Sequence, residues 1–266
     1  MAGTSADKLN KLKQTKADIK AAIQEKGQTV SSADTFASYA DKIRAITPIE
    51  PLLAGIITSI KSDVGSVKVH AFSYCTKLLT AEFPNATVIG ANAFIGCEKL
   101  TTIKAPMVSK IPSYCHDYNM SLATINYPSA TSVGTYAFRD CSVLGPITRD
   151  IFPNVETIYT YAFCRTPKLT YADFPKLTSI KSYAFSGAPI EKLILRSPTY
   201  CTLENANAFE YGASNFKIYV PSALYDQYAE NSSSNPWLLA VKGDLSRIRI
   251  IEYESDDNTI NGNIAM

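Results

Sequence analysis

The sequence predicts a β-rich solenoid, in which short repeats of one structure stack along a common axis. One slot recurs along the chain at intervals of 22, 22, 22, 25, 22 and 24 residues, and it holds Phe72, Phe94, His116, Phe138, Phe163, Phe185 and Phe209. We call these residues the anchor column. A leucine-led segment closed by proline recurs between them, as in LTTIKAP at 100–106. A fixed period in the low twenties is typical of a leucine-rich-repeat solenoid.

Each repeat contains two short strand candidates. The first is the leucine-led segment, found at 78–84, 100–106, 122–128 and 169–175. The second is an apolar pair that ends at Ile89, Ile111, Val133, Ile158 or Ile180. A strand exposes alternate side chains to its two faces, and a proline ends it without needing a ladder donor. One repeat cannot bury its apolar face alone, so stacked neighbours are expected to form one continuous core.

Two features depart from the regular pattern. The longer interval after Phe138 comes from an insertion, GPITRDIFP at 145–153, which we expect to bulge from one side of the solenoid. The third repeat has Cys115 and His116 where the others place alanine and phenylalanine. A polar residue in an apolar slot predicts a locally looser or wider rung.

The first part of the chain, residues 1–48, predicts a helical hairpin. Residues 5–27 are predicted to form a first amphipathic helix, and a second is predicted to end at Pro48. Their predicted apolar stripes comprise Leu9, Leu12, Ile19, Ile23, Phe36, Tyr39 and Ile43. Two short helices are too small to bury these stripes well. The pattern therefore predicts a docking or oligomerisation module, and a homo-oligomer.

The solenoid with its caps is predicted over residues 49–250. Residues 48–66 are apolar with scattered turn residues, which predicts a linker and an irregular first rung, because terminal repeats are normally atypical. After 216–221 the segment PSALYDQYAENSSSNPWLLAVKGDLSRI predicts a helical cap in which Trp237 covers the last rung. The segment 251–266 is a polar tail, expected to be frayed.

Composition excludes several classes of function. A net charge of +2 and 46% apolar residues give no sign of a nucleic-acid partner. No apolar run of about 18 residues predicts membrane insertion, and the lysine-rich N-terminus lacks the apolar region of a signal peptide. The six cysteines are predicted to be free, buried thiols that fill small core slots, with cross-links between rungs as the alternative.

The sequence contains no constellation that predicts catalysis. His70 lies two residues before an anchor and His116 occupies an anchor slot, so both histidines are explained as repeat positions. Neither lies near cysteines or carboxylates at metal-ligand spacing, and no phosphate loop or nucleophile elbow is present. We therefore expect no cofactor and no enzyme. A glycan-active enzyme remains a third hypothesis without a supporting motif.

The candidate binding surface is a column of tyrosines that lies two residues before the anchors. It comprises Tyr114, Tyr136, Tyr161 and Tyr183, and the neighbouring Arg139 and Arg165 follow anchors by one and two positions. Rigid amphipathic rings suit the binding of sugars or proteins. In the alternative interpretation, which is favoured, the rings only pack on one another beside the turn.

Two resemblances add to this interpretation. The alternation of leucine strand, proline, apolar strand and Ala-Phe-x-x-Cys/Gly, together with YVPSALYDQY, resembles the BspA-type leucine-rich repeats of bacterial surface and phage proteins over about residues 56–250. Residues 7–46, with KLNKLKQTKADIKAAIQEKG and the segment Thr35–Ile43, resemble an N-terminal module of bacteriophage tail or fibre proteins.

Together these resemblances imply a virion structural protein from a tail, baseplate or head fibre. Its helices would bind other virion proteins, and its solenoid would contact a glycan or protein of the host surface. A virion leaves the cell by lysis, so the expected location is the virion, reached without a signal peptide. The alternative is a bacterial or prophage-encoded surface adhesion module.

Overall fold

The computed structural model of the protein describes residues 17–21 and 57–251. Residues 17–21 form helix α1, inside the first predicted helix, and Ile19 is half-buried there. The other residues of the predicted apolar stripes lie outside the described residues, as do the second predicted helix and the tail from 252 onward. The helical hairpin and the domain boundaries at 48 and 251 therefore stay predictions.

Most rungs of the described chain contribute a longer and a shorter strand. The longer strands are β1 (Ser59–Lys61), β3 (Thr80–Glu82), β5 (Thr102–Lys104), β7 (Thr124–Asn126), β10 (Tyr171–Phe174), β12 (Lys192–Leu195), β14 (Lys217–Val220) and β15 (Ile248–Ile250). The shorter strands are β2 (Ser66–Val67), β4 (Val88–Ile89), β6 (Lys110–Ile111), β8 (Ser132–Val133), β9 (Thr157–Ile158), β11 (Ser179–Ile180) and β13 (Thr202–Leu203). The predicted positions are correct, although the leucine-led strands are shorter than predicted.

Strands of successive rungs pair in parallel at equivalent repeat positions. The longer strands form the sheets β1-β3-β5-β7 and β10-β12-β14-β15, and the shorter ones form β13-β11-β9-β8-β6 and β2-β4. In the first sheet Ile60 pairs with Ala81, Ala81 with Ile103 and Ile103 with Ile125. The first described rung, residues 59–67, already has both strands, since β1 pairs with β3 and β2 pairs with β4. The rest of the predicted linker and irregular first rung lies outside the described residues.

The anchor column lies in the core, as predicted. Its rings stack on one another with centroids 5.2 Å apart between Phe72 and Phe94 and 5.4 Å apart between Phe163 and Phe185. The interior anchors are fully buried, whereas Phe209 at the C-terminal end of the column is 9% exposed. The leucines that open the longer strands, such as Leu100 and Leu122, are also fully buried.

The third rung is packed as tightly as its neighbours, so the expectation of a looser rung is wrong. The His116 ring stacks 5.4 Å from Phe94 and 5.2 Å from Phe138 and is fully buried. Its Nδ1 lies 3.1 Å from Asn119 Nδ2, and its Nε2 lies 2.7 Å from the Tyr127 hydroxyl. These polar partners are in the same rung and replace apolar neighbours.

The hydrogen bonds around His116 fix its tautomer. Asn119 Oδ1 accepts a hydrogen bond from the Cys97 N–H, so Asn119 Nδ2 is the group that faces His116 and donates to its Nδ1. The imidazole proton therefore lies on Nε2 and is donated to Tyr127. Burial lowers the pKa of His116 to about 3, so the ring is neutral at physiological pH.

The insertion at 145–153 enters the core and is not the simple bulge that was predicted. Ile147 forms a parallel bridge with Ala172, and its N–H donates to the Tyr171 carbonyl at 3.0 Å. Ile147 and Phe152 are fully buried, and the Phe152 ring stacks 6.3 Å from Phe174. Within 145–153 only Asp150 is exposed. The extra residues thus complete a rung that lacks a regular longer strand.

The segment after β14 contains shorter helices than predicted. They are a 3₁₀ turn at Ser222–Leu224, helix α2 (Tyr225–Tyr228), helix α3 (Pro236–Ala240) and a 3₁₀ turn at Leu245–Arg247. The fully buried Trp237 ring lies 6.1 Å from Phe209, and its Nε1 donates to the Cys201 carbonyl at 3.0 Å. β15 then pairs with β14 and extends the sheet by one strand that was not predicted.

Candidate functional site

Two columns of left-handed residues flank the anchor column. Two residues before the anchors, φ lies between 57° and 58° at His70, Asn92, Tyr114, Tyr136, Tyr161 and Tyr183. Two residues after the anchors, φ is positive at Tyr74, Gly96, Tyr118, Asp140, Arg165, Gly187 and Tyr211. We call the surface formed by these five-residue turns the turn edge. Its chain path is the same in successive rungs.

Backbone hydrogen bonds between rungs hold the turn edge together. In the rung of Tyr136, the N–H groups of Tyr136, Phe138 and Asp140 donate to carbonyls of the following rung at 3.1, 2.8 and 3.0 Å. The residues between them donate within their own turn, as Arg139 does to the Tyr136 carbonyl. This alternation requires left-handed residues at two fixed positions per turn. It places the side chains of each position in a column along the solenoid.

The tyrosine column predicted from the sequence exists as a stack. Ring centroids are 4.9 Å apart between Tyr114 and Tyr136, 4.8 Å apart between Tyr136 and Tyr161, and 4.8 Å apart between Tyr161 and Tyr183. All four residues are half-buried. The faces of the two interior rings are covered by neighbouring rings, so the exposed part of each is its edge. At the C-terminal end, Asn207 Nδ2 donates to the Tyr183 hydroxyl at 3.1 Å.

Arg139 lies beside this column, and its guanidinium is engaged in contacts within the protein. Its side chain is 22% exposed and its guanidinium carbon lies 4.5 Å from the centroid of Tyr136 and 4.9 Å from that of Tyr118. It also binds Asp117, whose carboxyl is buried. Burial raises the pKa of Asp117, and Arg139 opposes that rise. Asp117 and Tyr118 were missed in the sequence, although Asp117 shares a column with Arg139.

Arg165 is the more accessible of the two predicted arginines. Its side chain is 58% exposed, and its Nε donates to Asp140 Oδ1 at 2.7 Å, with a second bond from Nη2 to Oδ2. The hydrogen bond with Asp140 raises the pKa of Arg165. Asp140 was also missed, and its shared column with Arg165 is the signal that identifies it. The turn edge therefore carries tyrosine edges, one exposed arginine and paired carboxylates.

The cysteines and histidines form no reactive site in the described chain. All six cysteines are free and buried, as predicted. Cys97 Sγ donates to the Phe72 carbonyl at 3.0 Å, and burial raises the pKa of Cys115 and Cys201. No group of three or more His, Cys, Asp or Glu side chains in residues 17–21 and 57–251 could hold a metal ion. His70 is exposed and contacts Ser73 at 3.0 Å.

A cavity of about 400 Å³ opens where the turn edge reaches its C-terminal end. It is lined by Phe209, Tyr211 and Phe216 on the last turn and by Leu239 and Lys242 near helix α3. Tyr211 is 82% exposed.

Within residues 17–21 and 57–251, no helix is long and apolar enough to cross a membrane.

Comparison with known proteins identifies the repeat. The family model described as the BspA type leucine rich repeat region matches residues 56–149 and 131–235, in six copies. No curated protein matches the sequence.

Solved structures that match part of the chain do so at low identity. The pneumococcal vaccine antigen PcpA is 14% identical, with a TM-score of 0.39, over 74% of this chain and 67% of that chain. A leucine-rich repeat protein from Bacteroides ovatus is 17% identical, with a TM-score of 0.33, over 74% of this chain and 58% of that one. A leucine rich cell surface protein from Faecalibacterium prausnitzii is 18% identical, with a TM-score of 0.27, over 73% and 79%.

Proposed function

The chain belongs to the BspA-type leucine-rich-repeat family, and we propose that its solenoid is a non-enzymatic binding module that attaches its carrier to another surface. The stack of four tyrosines at the turn edge is the observation that carries this proposal. Stacked rings are held rigidly, so little side-chain entropy is lost when they bind a partner.

The geometry of the stack specifies how a partner would be held. Because the faces of Tyr136 and Tyr161 are covered, a sugar ring cannot lie flat on either of them. The ring edges and their hydroxyl groups remain for binding, in a row with a spacing of 4.8–4.9 Å. Arg165, in the other left-handed column of the turn edge, adds an exposed guanidinium. The proposed ligand is a glycan or protein of a cell surface that presents hydrogen-bonding groups in a line.

Two double variants test the tyrosine stack. Tyr136→Phe with Tyr161→Phe removes two hydroxyl groups and keeps the rings, whereas Tyr136→Asn with Tyr161→Asn also removes the rings in a residue type that tolerates a left-handed backbone. Attachment of labelled protein to intact candidate host cells is measured by flow cytometry. We expect both variants to lose attachment, and the loss of one interface anchor is about 2 kcal/mol or more, roughly thirtyfold in affinity.

A matched control changes a tyrosine outside the stack. Tyr211→Asn replaces an exposed, left-handed tyrosine of the same turn edge and is expected to leave attachment unchanged. Normal attachment by both stack variants would place the binding surface elsewhere. If the stack variants lose attachment and also lose the melting transition of the folded protein, the stack contributes to packing and not to binding.

More specifically, we propose that the protein is part of a bacteriophage virion. This proposal rests on the resemblance of residues 7–46 to an N-terminal module of phage tail and fibre proteins. The alternative carrier is the surface of a bacterial cell. Mass spectrometry of purified virions, set beside protease shaving of intact cells, separates the two. Peptides of this chain in the virions at stoichiometric amounts support the first, and peptides released only from cell surfaces support the second.

The N-terminal residues are proposed to dock the protein or to join several copies. The apolar stripes predicted from their sequence include Leu9, Leu12 and Ile23, and such stripes on short helices would need a partner to cover them. Removal of residues 1–46 should leave the solenoid folded, because its core is self-contained. Light scattering should then give a lower mass per particle than for the full chain. An identical mass, together with unchanged incorporation into virions, would refute the docking role.

A further inference from the structure

The two sheets of longer strands differ in how their outward-facing charged residues are arranged. In the first sheet Lys61, Glu82, Lys104 and Asn126 follow one another in register across β1, β3, β5 and β7. Glu82 binds Lys104 at 2.8 Å and Lys61 at 3.4 Å. Charge therefore alternates along this row and is neutralised between neighbouring strands.

In the second sheet two neighbouring rows of one face bring positive charges together. Lys192 of β12 pairs in register with Lys217 of β14, and Tyr219 of β14 pairs with Arg249 of β15. We call Lys192, Lys217, Tyr219 and Arg249 the basic face. Like charges directly opposite one another on adjacent strands are destabilising. The three cations form no ion pair with any residue that the structure describes.

Among the described residues, the carboxylates near the basic face do not neutralise it. Asp173 lies on the same side of the sheet in β10, but it is buried and bound by Arg196 at 2.9 Å. Burial raises the pKa of Asp173, and Arg196 opposes that rise. Glu191 precedes β12 and forms no ion pair with another described residue. The described part of this sheet thus keeps a net positive, solvent-accessible row.

The arrangement of the cations suits a linear anion. Neighbouring strands of a sheet lie about 4.8 Å apart, so the basic face runs along the solenoid axis over three strands. Lys192 Nζ lies 5.2 Å from the centroid of Tyr219, so this ammonium lies over the ring of the neighbouring strand. A small anion would instead need an enclosed pocket with convergent donors. The row is open and shallow.

From these observations we propose that the basic face binds an acidic polysaccharide, one that carries carboxylate or sulfate groups at regular intervals. Cores of protein–protein interfaces are depleted of charged residues and lysine in particular, whereas this face exposes three cations around one ring. The only described aromatic ring among them already carries Lys192 on its face, so it offers no platform on which a nucleic-acid base could stack. The lysine ammonium is a point charge on a flexible stem, so a row of lysines can follow repeated anionic groups without a fixed hydrogen-bond geometry. This surface is separate from the turn edge.

The test uses heparin as a probe and the full chain as the protein. The triple variant Lys192→Gln, Lys217→Gln, Arg249→Gln is compared with a control of equal charge change, Lys77→Gln, Lys99→Gln, Lys168→Gln, whose lysines are exposed in loops. Isothermal titration calorimetry at low salt gives the affinities. Each lost cation should weaken binding about fivefold, hence roughly a hundredfold for three. The control should lose little, and added salt should weaken binding by the parent protein.

Four results would overturn the proposal. They are no binding of heparin by the parent protein, equal losses in the two triple variants, tighter binding of single-stranded DNA than of heparin, and equal binding of polyglutamate and heparin. Circular dichroism melts verify that both variants fold, which is expected because the substituted side chains reach solvent. The tyrosine variants of the turn edge should bind heparin like the parent, so this test can fail or succeed independently of the attachment experiment.

Discussion

Arg139 donates two hydrogen bonds to the carboxylate of Asp117 in the preceding rung, from Nε at 2.8 Å and from Nη2 at 2.6 Å. The side chain of Asp117 is 1% exposed, so its charge has little water to stabilise it. The pair therefore fastens two rungs together at the turn edge. Arg139 was predicted as a binding residue, and its observed contacts give it this structural role as well.

Replacement of Arg139 should destabilise the fold far more than replacement of Arg165. Arg139→Ala leaves a buried carboxylate without its partner, which typically costs about 3–5 kcal/mol. Arg165→Ala removes a pair whose arginine is mostly exposed, so the expected loss is below about 1 kcal/mol. Urea denaturation measures both free energies of unfolding. Equal stability of the two variants would contradict the role given to the Arg139–Asp117 pair.

Truncation of an interior anchor should be more costly than truncation of the last one. Phe94 is fully buried between Phe72 and His116, so Phe94→Ala should cost on the order of 3–5 kcal/mol. Phe209 is partly exposed at the end of the column, so Phe209→Ala should lower the free energy of unfolding by less. Thermal melts followed by circular dichroism compare the two. If Phe94→Ala melts like the parent, the ring does not contribute to the core as described.

His116 should make the protein sensitive to mild acid. Its folded pKa of about 3 lies below the usual 6.5, so the unfolded chain binds the proton more readily. Stability is fully present above about pH 6.5 and is lost as the pH falls towards 3. The slope approaches about 1.4 kcal/mol per pH unit between these limits. Urea denaturation at a series of pH values measures this slope.

Variants of the third rung separate this effect from general acid unfolding. His116→Phe removes the titrating group but takes away the His116 contacts of Asn119 Nδ2 and of the Tyr127 hydroxyl, which costs about 1–3 kcal/mol for each buried polar group left unsatisfied. The triple variant with Asn119→Cys and Tyr127→Phe replaces all three polar side chains with those found in other rungs. It should match or exceed the parent in stability and lose most of the slope. An unchanged slope would show that other groups dominate acid unfolding.

The left-handed backbone of the tyrosine column should separate alanine from asparagine at one position. Tyr136 has φ of 57°, a conformation that costs alanine about 1 kcal/mol and that asparagine tolerates better. We therefore expect Tyr136→Ala to be less stable than Tyr136→Asn by about that amount, with Tyr136→Phe close to the parent. Denaturation experiments on the three variants measure the order. Equal stability of the alanine and asparagine variants would argue against a left-handed residue here.

The sequence predicted those parts of the fold that repeat. Phe94 and Phe185 were placed in the core because each occupies the same slot of a rung, and periodicity alone identifies such slots. The left-handed columns also left a trace, because Asn92 shares a column with the tyrosines and Gly96 shares one with Tyr74. Asparagine and glycine are the residues that favour positive φ. Their recurrence at fixed offsets is a usable signal that was not used.

The parts that were missed depend on particular contacts that the repeat pattern does not show. The Asp140–Arg165 pair joins residues 25 positions apart across the insertion, and the two share a column only when their rungs are aligned on the anchors Phe138 and Phe163. Ile147 enters the sheet through a single bridge to Ala172, which no local pattern predicts. His116 was expected to loosen its rung because no polar partner for it was recognised. Its partners, Asn119 and Tyr127, lie at positions that most other rungs fill with apolar residues.

The hydrogen bonds between rungs also determine how the solenoid responds to mechanical force. The bonds donated by Tyr136, Phe138 and Asp140 run from one rung to the next, along the axis of the stack. If one end of the stack is tethered and the other is held by a bound surface, tension acts on all junctions in series. The weakest junction then opens first, one rung at a time. The Arg139–Asp117 and Arg165–Asp140 pairs each brace one such junction in the middle of the stack, and we expect stretching to begin at the ends.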